Sequence, residues 1–135
     1  MRHREVSVSG YEHTCMIRGD GGRTIRTILD RICDKWTLLV VATLDRKRLR
    51  FTDLQRQIPG VSQRMLTRTL RNLERDGLVS RTVYAEVPLR VEYALTGTGQ
   101  SLIPPALALA EWAIKHIPDI EASRAAYEER ADSAE

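Results

Sequence analysis

The 135-residue chain, 42% apolar and 29% charged, has the size and composition of one globular domain with a real core and is too short for two independent ones. Its net charge of +3 hides an uneven spread: residues 46 to 90 carry eleven Lys/Arg against four Asp/Glu, a balance of +7, and the remainder stands at −4. A basic centre suits a polyanionic partner, and the apolar runs, such as Leu38-Leu-Val-Val-Ala42, fall far short of a membrane span of ~20 residues.

In chain order, residues 1–22 lack helical periodicity, end in Arg18-Gly-Asp-Gly-Gly22 and read as a flexible N-terminal arm. Arg2, His3 and Arg4 are not followed by an apolar segment, so no secretory signal is expected and the protein is assigned to the cytoplasm. Ile25, Ile28, Leu29 and Ile32 recur at helical spacing and predict a short helix over about 24–32. Asp34-Lys35 punctuates it. A second helix, about 36–44, is apolar over much of its surface and should sit centrally, with Trp36 as a core anchor. The basic stretch Asp45–Arg50 reads as a loop. Phe51–Ile58 reads as a short helix capped by Thr52, with Leu54 and Ile58 pointing inward, and Pro59-Gly60 as a turn.

Ser62 then caps a helix whose composition is the most informative in the chain. Arg64, Arg68, Arg71 and Arg75 recur at spacings of four, three and four, which at ~100° per residue gathers them within an arc of roughly 60°. Met65, Leu66, Leu70 and Leu73 lie opposite, with Thr69 at the edge. One buried face and one cationic face suit an element that presses arginine onto phosphates and base edges. A merely solvated face would normally mix signs, and here only Glu74 and Asp76, at the far end, are acidic. Two short helices joined by a Pro-Gly turn, the second bearing the polar face, form a helix-turn-helix.

Gly77 supplies the helix stop, after which the period changes to two. Val79, Arg81 and Val83 alternate with Ser80, Thr82 and Tyr84; a turn around Glu86-Val-Pro88 follows; Val91, Tyr93 and Leu95 then share one face. This is a β-hairpin, and a helix-turn-helix followed by a hairpin is a winged helix. Thr96-Gly-Thr-Gly99 opens a last long helix, about 98–117, with Pro104-Pro105 near its start. Its apolar stripe of Leu102, Ile103, Ala106, Leu107, Ala110, Ala113, Ile114 and Ile117 exceeds what a small core needs, so part of it is assigned to a dimer interface. Residues 118–135 read as an acidic, partly helical tail. The predicted class is mainly α with a small β-hairpin: an arm (1–22), a winged helix-turn-helix with terminal dimerisation helices (23–117) and the tail (118–135).

Cys15 and Cys33 do not make a disulfide framework, and His3, His13 and His116 show no metal-ligand spacing, so neither metal nor cofactor is expected. No nucleophile–base pair, paired carboxylates or glycine-rich phosphate loop is present, which argues against an enzyme. The basic residues lie in several short elements rather than one amphipathic helix, which argues against a membrane. A winged helix can also serve as a protein–protein interaction module without sequence-specific DNA binding, but that use does not call for four aligned arginines.

Asp34-Lys-Trp-Thr-Leu-Leu39, Arg50-Phe-Thr-Asp-Leu54, Ile58-Pro-Gly-Val-Ser-Gln-Arg-Met-Leu-Thr67, Leu73-Glu-Arg-Asp-Gly-Leu78, Tyr84-Ala-Glu-Val-Pro-Leu-Arg-Val-Glu-Tyr93 and Leu95-Thr-Gly-Thr-Gly99 resemble the HxlR family of bacterial winged-helix transcription regulators, in the MarR-like superfamily. The resemblance covers about residues 24–116. It implies a homodimer formed through N- and C-terminal helices that binds a pseudo-palindromic operator, usually as a repressor. It places DNA contacts at Ser62, Gln63, Arg64, Thr67, Arg68 and Arg71, with wing positions around Pro88 and Arg90. From chemistry, Gln63 suits adenine, Arg64 or Arg68 guanine, and Ser62, Thr67, Arg71 and, peripherally, Arg75 phosphates. Many family members sense oxidants or electrophiles through a cysteine at the start of the first helix, where this chain has Arg23. Cys15, near His13 and Arg18, is the candidate redox sensor, against the plainer reading of a surface cysteine. Cys33 reads as a packed small residue. A small-molecule effector between the terminal helices is a further candidate partner, with Trp36, Tyr93 and Trp112 as conceivable lining.

Overall fold

The computed structural model describes residues 17–134. A 3-10 turn at Asp20–Gly22 leads into α1 (Arg23–Ile32) and α2 (Lys35–Thr43); β1 (Arg48–Arg50), α3 (Phe51–Gln57) and α4 (Gln63–Arg75) follow. The hairpin strands are β2 (Val79–Tyr84) and β3 (Arg90–Leu95), and the chain closes with α5 (Gly97–Gln100) and α6 (Ile103–Ala134). The strands form one antiparallel sheet in the order β1-β3-β2. This is the winged helix predicted, mostly helical with a small sheet.

Local chemistry sets the boundaries. The Asp34 carboxylate accepts the N–H groups of Trp36 (2.9 Å) and Thr37 (3.3 Å), starting α2. Apolar nearly all round, α2 is central as expected: Val40 and Val41 are fully buried, and Leu44 just beyond its end joins Leu54, Ile58, Val61, Leu66, Leu70, Leu73, Leu78 and Val79 in one core. Trp36 and Tyr93 pack against that core from its edge. Ser62 Oγ accepts the Met65 N–H at 3.0 Å to start α4. At the other end of α4, Leu78 N–H donates to Leu73 C=O (2.9 Å) and Gly77 N–H to Glu74 C=O (3.1 Å), with Gly77 at φ +77°. That is a Schellman closure, and its two apolar residues, Leu73 and Leu78, meet in the core.

Several expectations are corrected. The stretch read as a loop contains β1: Arg48 pairs with Ala94, Leu49 with Tyr93 and Arg50 with Glu92. Leu49 turns inward while the two arginines stay out, a period-two pattern too short to read among cations, and one that keeps an exposed sheet edge charged. Thr52 does not cap α3; the helix begins at Phe51 with Arg50 in the cap position, and the Asp53 carboxylate accepts the Arg50 N–H at 3.4 Å. The last helix is split. Thr96 Oγ1 accepts the Gly99 N–H to start the single-turn α5; α6 then begins at Ile103, with Pro104 and Pro105 in its first turn where missing donors cost little. It continues through Pro118 to Ala134, roughly 48 Å at 1.5 Å per residue, rather than ending near 117.

The hairpin register sets Val79 against Leu95, Arg81 against Tyr93 and Val83 against Val91, as the alternation requires. The apolar stripe of α6 is covered only at its start: Leu102, Ile103 and Ala106 are half-buried, whereas Leu107, Ile114 and Ile117 are exposed. On α1, Ile25, Leu29 and Ile32 are half-buried and Ile28 exposed.

Candidate nucleic-acid interface

The buried face of α4 (Leu66, Thr69, Leu70 and Leu73) locks the helix to α2 and β2 and leaves the opposite face to solvent. Ser62, Gln63, Arg64, Arg68, Arg71 and Arg75 are exposed and Thr67 is half-buried. With Asn72 they line one open surface depression, so all seven helix positions singled out from the sequence come together. Asn72 was missed there; it lies one turn beyond Arg68, on the flank of the arginine arc. Ser62 uses an oxygen lone pair for the cap, which leaves its hydroxyl proton free to donate. Among the described residues none of the four arginines forms an ion pair.

The wing is electrostatically different. Arg90 donates to Glu86 (2.8 Å) and Glu92 (2.9 Å) and lies over the Tyr84 ring at 3.8 Å; its side chain is 27% exposed. The Glu86 carboxylate, opposed by burial and reinforced by Glu92, holds the guanidinium proton more firmly than usual. Its Nε is buried without an acceptor among the described residues. Arg48 donates to Thr82 at 3.2 Å and sits 4.0 Å from Glu92, and Arg81 pairs with Glu74 at 3.5 Å. Pro88, preceded by a cis peptide bond, lies at the exposed tip between exposed Val87 and Leu89. Burial pushes the Tyr93 phenol above its ordinary value near 10, with Arg81 and Arg71 opposing the rise and Glu74 adding to it.

His13 and Cys15 lie outside the described residues. Cys33 caps the end of α1, its N–H bonded to Leu29 C=O at 2.9 Å, but it is exposed rather than packed, because α1 contributes no fully buried residue. The proposed aromatic lining does not assemble. Trp36 and Tyr93 brace the core, while Trp112 is exposed on α6 and stacks on His116, 4.5 Å between ring centroids. Two apolar clefts among the described residues have other walls: Leu38, Leu39, Ile103 and Leu107 between α2 and α6, and Ile28, Ile32, Leu78 and Leu102 between α1 and the start of α6. Among the described residues no cluster of His, Cys, Asp or Glu is placed to hold a metal, and no helix is long and apolar enough to cross a membrane.

Residues 31–121 match the HxlR-like helix-turn-helix family. An uncharacterised HTH-type transcriptional regulator of Methanothermobacter thermautotrophicus is 48% identical over 104 residues, 77% of this chain and 79% of that protein. Among solved structures, the putative transcriptional regulator ytfH from Salmonella typhimurium superposes with a TM-score of 0.67 at 37% identity, covering 73% of this chain and 88% of its own. The redox regulator HypR in its reduced form also gives 0.67, at 38% identity over 73% of this chain and 98% of its own. These relatives are transcriptional regulators rather than enzymes, and the match spans the helix-turn-helix, the wing and the first half of α6. The chain belongs to the HxlR family of helix-turn-helix transcriptional regulators.

Proposed function

We propose that this regulator binds a pseudo-palindromic operator sequence-specifically as a homodimer and represses by occluding a promoter. The observation that carries the reading is the outward face of α4, where four guanidinium groups stand exposed without a carboxylate partner among the described residues. Unneutralised guanidinium is the group that displaces counterions from phosphates and pairs with guanine edges. Gln63 and Arg64 or Arg68 read bases, Ser62, Thr67, Arg71 and Arg75 hold phosphates, Pro88 brings the wing tip to the flanking backbone, and Arg90 braces that wing. The exposed apolar stripes of α6 and α1 meet those of a second copy, and two-fold symmetry sets the half-sites one turn apart, roughly 10–11 bp, or a multiple. The protein works as a non-enzymatic regulator in the cytoplasm, at the nucleoid when bound to DNA.

HypR is named a redox regulator, and Cys15 is the residue through which this chain would share that property.

The test is selection of bound fragments from the host genome by the purified, reduced protein, followed by sequencing. Enrichment of one inverted repeat is expected; no enriched sequence would overturn the reading and favour a protein-interaction module. Repeating the selection after mild oxidation, with Cys15→Ser beside the wild type, tests the sensor. Loss of binding in the wild type alone supports it, and equal behaviour of the two proteins removes Cys15 from the mechanism.

A further inference from the structure

The last turn of the reading helix α4 ends in two acids, Glu74 and Asp76, which local energetics disfavour. The C-terminal end of a helix carries partial negative charge, so carboxylates there are repelled and cations attracted. Each carboxylate nevertheless has an arginine from a different element. Glu74 Oε2 lies 3.5 Å from Arg81 Nε on β2, and Asp76 Oδ1 accepts from Arg31 Nη1 on α1 at 2.6 Å. The first bridge ties the helix to the wing. The second ties it to the N-terminal helix, which contributes no fully buried residue of its own.

Other contacts converge on the same end. Thr96 Oγ1 donates to Gly77 C=O at 2.6 Å, and Thr96 N–H donates to Leu78 C=O at 3.0 Å. At Gly99 a Cβ would stand 2.0 Å from the Leu78 carbonyl oxygen, so α5 is seated against the Gly77–Leu78 turn as closely as backbone allows. The opposite end of α4, at Ser62, Gln63 and Arg64, is exposed. With its inner face on the core and its C-terminal end pinned by these contacts, the pose of the helix depends on that end being held. Its 13 residues span roughly 20 Å, so a tilt of about 10° at the held end moves the Ser62 end by about 3.4 Å, one base-pair step.

We propose that Glu74 and Asp76 are positioning residues, whose bridges to Arg81 and Arg31 fix the pose of the reading helix against the wing and α1 and thereby set the half-site spacing the dimer accepts. The inference rests on the DNA-reading function proposed above and adds to it the residues that set its geometry. Both bridges are partly exposed: side-chain exposure is 42% and 29% for Arg31 and Asp76, and 46% and 41% for Arg81 and Glu74. Each is therefore worth at most a factor of about five, enough to bias a pose and too little to hold the fold.

The experiment uses the full chain and duplexes carrying the inverted repeat recovered by the wild type, with half-site separation changed one base pair at a time. Affinity is read by fluorescence anisotropy, and each variant is also melted. Asp76→Asn and Glu74→Gln are expected to bind the natural spacing about two- to twenty-five-fold more weakly, since each change acts twice in a dimer, and to lose less at altered spacings, so that the preference flattens. The charge exchange Arg31→Asp with Asp76→Arg should restore the preference, which a merely structural loss would not allow. Variants whose affinity falls in parallel at every spacing, or an exchange that restores nothing, overturn the positioning role while leaving the DNA-reading function intact. A wild type that recovers no repeat overturns both.

Discussion

Arginine serves two opposite purposes in this molecule, and the carboxylates within reach decide which. On α4 the four outward guanidiniums are exposed and, among the described residues, unpaired; on the sheet, three of the four arginines (Arg48, Arg81 and Arg90) are tied to Glu92, Glu74 and Glu86. A paired guanidinium has spent much of its field on its neighbour and stiffens the element that bears it. An unpaired one keeps its field for a phosphate. The contrast separates the open face of α4 from the sheet more sharply than net charge does, because the sheet also bears four arginines, yet three of its guanidiniums already face carboxylates.

The largest effect is expected from emptying the reading face. Arg64→Ala, Arg68→Ala and Arg71→Ala together should weaken operator binding on the order of 10³-fold or more, at about 1–3 kcal/mol for each contact. The melting temperature should hardly move, since these side chains support nothing in the fold. Anisotropy and thermal unfolding on one preparation check both halves, and a variant that also unfolds early would break the division. Within the set, Arg68→Ala alone distinguishes base from phosphate: a loss confined to one operator position marks a base reader, an even loss across sequences a phosphate contact.

Arg90→Ala should show the reverse pattern. It leaves Glu92, whose side chain is only 14% exposed, with Arg48 at 4.0 Å in place of the closer Arg90, and removes the contact over Tyr84. The melting temperature is expected to fall, with operator affinity little changed. If affinity collapses while stability holds, Arg90 is a DNA contact and not a brace.

The division was only half legible in the sequence. The exposed cationic face of α4 was, because 3.6-residue spacing maps directly onto a helix surface: Ser62 caps, Leu66, Leu70 and Leu73 are buried, and the arginines stand out. The hairpin was legible from Gly77 and the switch to period two. What pairs with what across elements was not. Nothing local reveals that Arg31 reaches Asp76, 45 positions away, so from the sequence alone Glu74 and Asp76 read only as the end of a cationic run. Strand β1 was hidden because one inward leucine between arginines is too brief a period. The extent of α6 was hidden by Pro118, which reads as a stop although the helix continues through it. The pairing of Arg90 with Glu86 and Glu92 depends on side-chain geometry that spacing does not fix.

A smaller effect sharpens the reading side. Arg75, at the edge of the arc, is expected to touch phosphate alone. Arg75→Ala should therefore reduce the slope of log affinity against log salt by about one per protomer, with the same loss on every sequence. A slope equal to that of the wild type would take Arg75 out of the interface.

The smallest effect concerns the supporting side, at the contact between wing and reading helix. Tyr93 on β3 lies opposite Arg81 and feels Glu74 and Arg71 of α4, and burial raises its phenol above the ordinary value near 10. A phenol that ionises at higher pH in the folded chain than in the unfolded one favours the fold while it stays neutral. Its contribution is fully present below pH ~10 and is lost as pH climbs through the unfolded value toward the raised folded one. Tyr93→Phe has no proton to lose. Melting the two proteins in parallel between about pH 8 and 11 cancels the titration of lysines they share, and the advantage of the wild type should shrink only on the alkaline side. A difference that stays constant across that range would mean the phenol is freely solvated when folded, and that the joint between wing and reading helix is held by the Glu74–Arg81 bridge without support from the ring beneath it.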